Sequence, residues 1–126
     1  MKDKAISNKK WKENFVQRLL QFGVSIIKLV NQLPKTPAGF AIAHQLIRSA
    51  TAIGANFVEA QDASSIKDFI QKLSIALREA RETIYWLRTI QMSGLAVGIL
   101  LNENVKEGNE IVAILISSVK SSKLKL

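Results

Sequence analysis

Side chains able to perform acid–base or metal chemistry are few in this sequence and poorly spaced for it. His44 is the only histidine and there is no cysteine, so the Glu-x-x-His ligand pairs of di-iron bundles cannot be assembled. Glu79 and Glu82 share one helix face, and such a pair could work as acid and base if it were buried. Because Arg78 and Arg81 are their sequence neighbours, solvent-exposed ion pairs are the better interpretation.

A second series of carboxylates lies near the end of the chain and is interpreted in the same way. Glu103, Glu107 and Glu110 have a similar spacing, with Lys106 among them. The sequence also lacks the glycine-rich phosphate loop and the serine elbow of common enzyme families. We therefore expect a non-enzymatic protein with no cofactor and no metal.

Three polar side chains interrupt the apolar middle of the sequence. Arg48, Asn56 and Glu59 lie among alanines and isoleucines, and Asn56 is next to the apolar seam. One interpretation is an ordinary solvated helix face. The other is a hydrogen-bonded network at a boundary between subunits, since polar groups buried there must be satisfied. Both interpretations stay open.

The positive charge is concentrated at the two ends of the sequence. Of the net charge of +8, the first twelve residues supply five lysines against one aspartate, and the last nine supply three lysines and no acid. These lysines either keep an apolar protein in solution or bind a polyanion such as RNA or DNA. They are Lys2, Lys4, Lys9, Lys10, Lys12, Lys120, Lys123 and Lys125.

Basic and aromatic residues also alternate in the third apolar segment. Arg78, Arg81 and Arg88 surround Tyr85 and Trp86, a combination that could contact phosphates and stack on bases. Aromatic residues beside an apolar stripe also serve simply as packing residues. Symmetric assembly would multiply either this patch or the lysine-rich ends.

Four apolar ladders with helical spacing dominate the chain and would position all of these groups. The first has steps of four and three residues, which keep one face against a partner helix. Its members are Phe15, Leu19, Phe22, Ile26, Leu29 and Leu33. Breaks at residues 33–37, 61–65 and 93–94 separate the ladders, and no segment alternates with the period of a strand. The pattern predicts an all-α, up-down-up-down antiparallel four-helix bundle in one domain, 1–126, with flexible ends at about 1–10 and 121–126.

The predicted helix bounds follow from prolines, glycines and capping residues. The first helix runs from residue 9 or 12 to residue 32, and Thr36 and Pro37 begin the second. Ser65 and Asp68 resemble a capping box that starts a third helix ending near Met92. The fourth runs from residue 102 or 104 to residue 120, after an apolar segment, 95–101, that is either a helical turn or a packed loop. Its predicted seam includes Val105 and Val112.

The helices carry more apolar surface than one bundle can bury. In the first helix Val16, Leu20, Ile27 and Val30 lie beside the main ladder. Monomers seldom expose patches of that extent, so we expect a homo-oligomer. The alternative is a monomer with aliphatic residues scattered over its surface. No apolar run is long enough to span a bilayer, and the start of the sequence has no signal core, so a cytoplasmic protein is expected.

From Gln45 to Leu87 the sequence resembles the bacterial four-helix-bundle family of proteins encoded by intervening sequences in 23S ribosomal RNA genes. The matching stretches are Gln45–Ala60, Ser65 with Asp68–Ile70, Leu73–Thr83 and Tyr85–Leu87. Looser agreement at Phe15, at Leu33–Lys35 and at Ile114–Lys123 extends the resemblance over nearly the whole chain. Gly54 stands where many members have proline, and Ile84 where many have an acid.

The resemblance implies a bundle assembled as a ring of five. It also implies a relation to the accessory proteins of diversity-generating retroelements, which are basic pentamers that bind nucleic acid and a reverse transcriptase. It supplies no agreed functional residues. The resulting prediction is a nucleic-acid-associated accessory or scaffold protein that assembles with itself; the alternative is an adaptor that docks a protein and binds no nucleic acid.

Overall fold

The computed structural model describes residues 2–126 and the side chains from residue 8 onward. It contains four α-helices, α1 Lys2–Val30, α2 Pro37–Gln61, α3 Ile66–Ser93 and α4 Ile99–Lys123. No strand occurs within residues 2–126, so the predicted all-α class is confirmed. Helix α1 contacts α2 and α4, and α3 contacts α2 and α4. The four helices therefore form a closed, compact bundle around one core.

Local capping explains where α2 begins. The Thr36 hydroxyl accepts a hydrogen bond at 3.1 Å from the backbone N–H of Gly39, which satisfies one of the free donors at a helix start. Pro37 occupies the first helical position, where its missing N–H costs nothing. The predicted start of α2 is confirmed.

The predicted cap of α3 is also present, with a change of detail. The Ser65 hydroxyl accepts from the Asp68 N–H at 3.1 Å, whereas the Asp68 carboxylate accepts from Ser64, one residue before the cap. At the other end Gly94 has a φ of 70°, and the Leu95 N–H donates to the Ile90 carbonyl at 3.2 Å. This arrangement is the Schellman ending that glycine favours.

The outer helices are longer than their sequence patterns predict. Helix α1 begins at Lys2 and ends at Val30, so the lysine-rich segment continues the helix. Helix α4 begins at Ile99, directly after Gly98 with a φ of 114°, and continues to Lys123. Of the ambiguous segment 95–101, the last three residues thus form the first turn of α4. The flexibility of the two ends stays a prediction.

The core consists mainly of the predicted ladders. All six members of the α1 ladder are buried, and in α2 the seam is buried from Leu46 to Ala60. Phe15 and Phe57 meet edge to face with ring centroids 4.9 Å apart, which joins α1 to α2 through aromatic packing. Alternation of large residues with the small Ala50, Ala76 and Ala80 lets the helices approach closely.

The buried seam of α4 differs from the predicted one. Asn104 and Ile111 are buried, whereas Val105 and Val112 are only half-buried. The Asn104 side chain donates to the Leu100 carbonyl at 2.9 Å, so a polar residue is satisfied within its own helix and can face the core. Gly108, Leu115 and Val119 of the predicted seam are buried as expected. Hydrophobicity alone therefore misplaced the seam by one residue only at Val105 and Val112.

Ile84, one of the two departures from the family pattern, packs over α4. A Cβ atom at Gly108 would lie 2.6 Å from the Ile84 Cδ1 atom, so the glycine makes room for this side chain.

Among residues 2–126, none of the helices combines the length and the hydrophobicity that a bilayer crossing requires.

Candidate functional site

The structure brings together one lysine from each lysine-rich end of the chain. Lys12 of α1 and Lys125, just after α4, line the same pocket of about 340 Å³. The C-terminal end of α2 and the N-terminal part of α3 complete its wall through Gln61 and Phe69. We call this the end pocket; its lining residues are Asn8, Trp11, Lys12, Phe57, Gln61, Phe69, Leu73, Ser117, Ser118, Ser121, Ser122 and Lys125.

The lysine side chains around the end pocket are available to a ligand. Lys9, Lys10, Lys12, Lys120, Lys123 and Lys125 are all exposed. Three acids, Glu13, Glu59 and Asp68, lie on the helix segments that meet at this end, and Asp62 directly follows α2, so the surface is a mixed one with positive charge in excess. The predicted contact residues Lys2 and Lys4 lie outside the described side chains.

An aromatic ring and an unsatisfied acceptor lie within the end pocket. Trp11 stacks on Phe15 with ring centroids 5.3 Å apart and planes at 19°, and it is still 47% exposed. The Gln61 side-chain nitrogen donates to the Phe57 carbonyl at 3.0 Å. The Gln61 Oε1 atom is buried and has no hydrogen-bond partner among the described residues.

The arginines of α3 form a separate surface. Arg78, Arg81 and Arg88 are exposed, and Tyr85, which shares their helix face, is 62% exposed. Trp86 is half-buried and donates to the Glu82 carboxylate at 3.3 Å. Tyr85 is therefore placed to contact a nucleic acid, whereas Trp86 is a packing residue. None of Arg78, Arg81, Tyr85 and Arg88 lines the end pocket, although Arg78 is only five residues from Leu73, which does.

Arg48 bonds to α3 and, through its Nε atom, to Gln45 of its own helix at 3.5 Å. Its guanidinium donates to Glu79 at 3.3 Å and to Glu82 in a shorter contact. Hydrogen bonding by Arg48 lowers the pKa of Glu82 and, reciprocally, raises the pKa of the guanidinium. Beneath this surface pair the buried Thr83 hydroxyl donates to the Ser49 hydroxyl at 2.9 Å. Together these bonds form a polar link between α2 and α3.

Asn56 and Glu59 are not part of that link. The Asn56 side chain donates to the Ala52 carbonyl of its own helix at 2.8 Å, and Glu59 is exposed. Within one chain Arg48, Asn56 and Glu59 are thus not bonded to one another. Their predicted role at a subunit boundary stays a prediction.

A second arginine holds α1 against α4. Arg18 donates through two nitrogens to both oxygens of Glu107, at 2.7 and 2.6 Å, and to Glu110 at 2.7 Å. A two-pronged arginine–carboxylate pair is among the strongest charged hydrogen bonds. Hydrogen bonding by Arg18 lowers the pKa of Glu107. The carboxylates do form ion pairs, as expected, but these bonds come from arginines of neighbouring helices.

These arrangements do not favour acid–base chemistry. A carboxylate with a lowered pKa, such as Glu82 or Glu107, stays ionised at neutral pH, so it cannot donate a proton, and it is also a weaker base than an ordinary glutamate. His44 is exposed. Among the described residues, no three histidine, aspartate or glutamate side chains form a group that could hold a metal ion.

An apolar groove lies between α1 and α2. It has a volume of about 480 Å³, and we call it the α1–α2 groove. Its lining residues are Val16, Leu19, Leu20, Gly23, Val24, Ile27, Thr51, Gly54, Ala55 and Val58. Among its large apolar side chains, Leu20, Val24, Val58 and Ile27 are between 44 and 58% exposed. Of the excess apolar residues expected on α1, Leu20 and Ile27 are therefore exposed in a single chain, whereas Val16 and Val30 are half-buried.

The sequence interpretation missed the polar wall of the end pocket. Ser117, Ser118, Ser121 and Ser122 recur at a spacing of four residues, which places hydroxyls on one helix face. The serine repeat could have indicated this wall from the sequence. Nothing in the sequence indicated the role of Gln61, because only the packed structure shows that its oxygen lacks a donor.

Comparison with known proteins places this fold in a family. The model of the 23S rRNA-intervening sequence protein family matches residues 12–117. A crystal structure at 1.70 Å resolution of a protein with unknown function, from the S23 ribosomal protein family of Bacteroides thetaiotaomicron, is similar at 38% identity and a TM-score of 0.77. The match covers 83% of this chain and 97% of that one. No curated protein matches the sequence significantly.

The fold is thus that of an all-α, four-helix bundle. The chain belongs to the 23S rRNA-intervening sequence protein family. Several residues on which the sequence resemblance rests have a structural role in the bundle. Arg48 and Ser49 of the first matching stretch bond to Glu82 and Thr83 of a later one, so they fix how α2 and α3 pack.

Proposed function

We propose that this protein is a non-enzymatic, homo-oligomeric scaffold that associates with RNA or DNA in the cytoplasm. The observation that carries the proposal is the shared location of Lys12 and Lys125 in one pocket. Two lysine runs at opposite ends of the sequence thereby act as one cationic surface. Phosphate neutralisation by such lysines supplies most sequence-independent affinity for nucleic acid.

Removal of charge at this end should weaken RNA binding and flatten its salt dependence. We expect the triple variant Lys12→Gln, Lys123→Gln, Lys125→Gln to lower the slope of log K against log salt by up to about 2 to 3, because each phosphate contact contributes about 0.7 to 0.9. Fluorescence anisotropy of a labelled RNA hairpin between about 50 and 200 mM salt measures the slope.

A matched triple variant controls for net charge. Lys28, Lys35 and Lys106 are exposed and lie on segments toward the opposite end of the bundle, so their replacement by glutamine should leave the slope nearly unchanged. Equal losses in both triple variants would contradict the proposed surface. No retention of RNA or DNA at about 50 mM salt would reject nucleic-acid association altogether.

The proposal includes antiparallel helices and assembly through the α1–α2 groove. Antiparallel packing is supported by the pairing of Phe15 with Phe57 and of Gly23 with Thr51, since the α2 number falls as the α1 number rises. The groove supports self-association because small residues at Gly54 and Ala55 leave a hollow beside the exposed Leu20 and Val24. One face thus offers both a ridge and a recess to a second copy.

Loss of the apolar ridge should dissociate the oligomer. We expect Leu20→Asn with Val24→Asn to give the single-chain mass of 14.0 kDa in light scattering, because both side chains are more than half exposed and can be replaced without disturbing the core. The unmodified protein should give about five times 14.0 kDa if the ring of five forms. Phe40→Asn, a similarly exposed site outside the groove, should leave the mass unchanged. A 14.0 kDa mass for the unmodified protein would contradict assembly.

A second candidate function is an adaptor that docks a protein, such as a polymerase or reverse transcriptase, and binds no nucleic acid. The observation that favours it is the same apolar groove, which a partner helix could occupy in place of a second copy. The two candidates differ in salt dependence, because apolar docking releases few counterions. A non-enzymatic role in either case is supported by the arginine pairing of Glu82 and Glu107.

A further inference from the structure

The end pocket contains three kinds of group that the lysine-rich surface alone would not require. They are an exposed aromatic ring, a row of serine hydroxyls and an unsatisfied acceptor oxygen. A surface that only attracts phosphates needs positive charge, without a recess of about 340 Å³. That volume lies within the range of small-molecule sites.

One face of the Trp11 ring is not covered by Phe15. Its stacking on Phe15 is nearly parallel, at 19°, and covers only one face of the indole. The 47% exposure of the residue therefore comes from the opposite face and the ring edges. Flat heteroaromatic rings are the natural occupants of such a position, and base–aromatic stacking is a main source of affinity for unpaired nucleotides.

The orientation of the Gln61 amide is fixed by its partner. The Phe57 carbonyl can only accept, so the nitrogen of the amide must face it at 3.0 Å, and the oxygen points elsewhere. That oxygen is buried without a donor among the described residues, which costs free energy. Because it is buried, a base N–H reaches it only when the Gln61 side chain shifts toward the end pocket. Every nucleic-acid base carries an N–H donor on its pairing edge, and an unpaired base leaves that edge free.

We propose that the end pocket holds one unpaired nucleotide of an RNA strand. The base stacks on Trp11 and donates to Gln61, the serine hydroxyls of α4 contact the sugar, and Lys12 and Lys125 contact the adjacent phosphates. This inference rests on the proposed association with nucleic acid and adds to it a site for a single extruded base. If the protein recognised only charge, its affinity for RNA would be the same with and without that base.

Fluorescence anisotropy with three labelled RNA hairpins of equal length tests the inference. The first hairpin carries a single-nucleotide bulge, the second carries an abasic bulge, and the third has a fully paired stem. The unmodified protein should bind the bulged RNA about 5- to 150-fold more tightly than the other two. Trp11→Ala should remove that preference, and Trp11→Phe should keep most of it because phenylalanine still stacks. Phe40→Ala, an exposed aromatic outside the end pocket, should keep all of it.

The outcomes separate the two proposals. Equal binding of all three hairpins by the unmodified protein would overturn the nucleotide site and leave nucleic-acid association standing. A preference that survives Trp11→Ala would also overturn it, provided that circular dichroism shows the variant folded. Binding of no hairpin would overturn both proposals. Adenosine monophosphate bound as tightly as the bulged RNA would assign the pocket to free nucleotides and overturn the assignment to a strand.

Discussion

At the scale of single residues, the glycines show how differently one residue type can be used. A Cβ atom at Gly39 would overlap the backbone carbonyl of Pro34, whereas one at Gly54 would lie 3.5 Å from the Leu19 Cβ atom, an ordinary contact. Gly39 is therefore required by the tight turn before α2. Gly54 is not needed for the packing of a single chain, and α2 continues unbroken through it.

Alanine substitutions at these two glycines should change stability in opposite directions. Gly39→Ala should lower the free energy of unfolding by about 1 to 3 kcal/mol, as overpacking against backbone usually does. Gly54→Ala should raise it by up to about 1 kcal/mol through better helix propensity. Urea denaturation measures both, at a protein concentration low enough to hold the assembly state constant. Equal effects at the two sites would contradict the close approach of Gly39 to the Pro34 carbonyl.

At the scale of helices, sequence spacing determines what a helix buries but not which charged groups meet across the bundle. The four-three spacing of the first ladder was sufficient to predict its six buried residues, five in α1 and Leu33 just after it. By contrast, Arg18 and Glu107 are 89 residues apart, and the nearest basic neighbour in sequence, Lys106, suggested a different pairing. Cross-helix pairs depend on the relative shift of two helices, which no local pattern contains.

The Arg18 pair should stabilise the fold in a pH-dependent way. An unpaired glutamate has a pKa of about 4.3. Hydrogen bonding by Arg18 lowers the pKa of Glu107 in the folded protein. The stabilisation is therefore present above pH 4.3 or so and is lost as the pH falls through the lowered folded-state pKa. Arg18→Gln should cost about 1 kcal/mol at pH 7, and its difference from the unmodified protein should shrink below about pH 4.

Lys106→Gln is the matched control, because it removes the same charge beside the same glutamate. Its effect on the urea midpoint should be smaller than that of Arg18→Gln at pH 7 and nearly independent of pH. A Lys106→Gln variant as destabilised as Arg18→Gln would show that proximity in sequence, and not the α1–α4 contact, governs the pairing.

At the scale of the whole molecule, the sequence was enough to predict the fold class, the number of helices and the family. The first two follow from the local spacing of apolar residues, and the family follows from sequence motifs. The candidate site was predicted only in part. The lysines were identified, yet their union with Trp11 and Gln61 in one pocket depends on how four helix ends meet. The buried Ser122, which donates to the Ser118 carbonyl at 2.7 Å, could not be distinguished by type from its exposed neighbour Ser121.

The meeting of the first and last helices at one end of the bundle also affects how the protein should be handled. An affinity tag or fluorescent fusion at the C-terminus would be attached next to Lys125 of the end pocket and would obstruct it. A short insertion at Val97, which is 81% exposed in the connection from α3 to α4, would place the label toward the far end. Reagents built that way would report ligand binding without competing for the same surface.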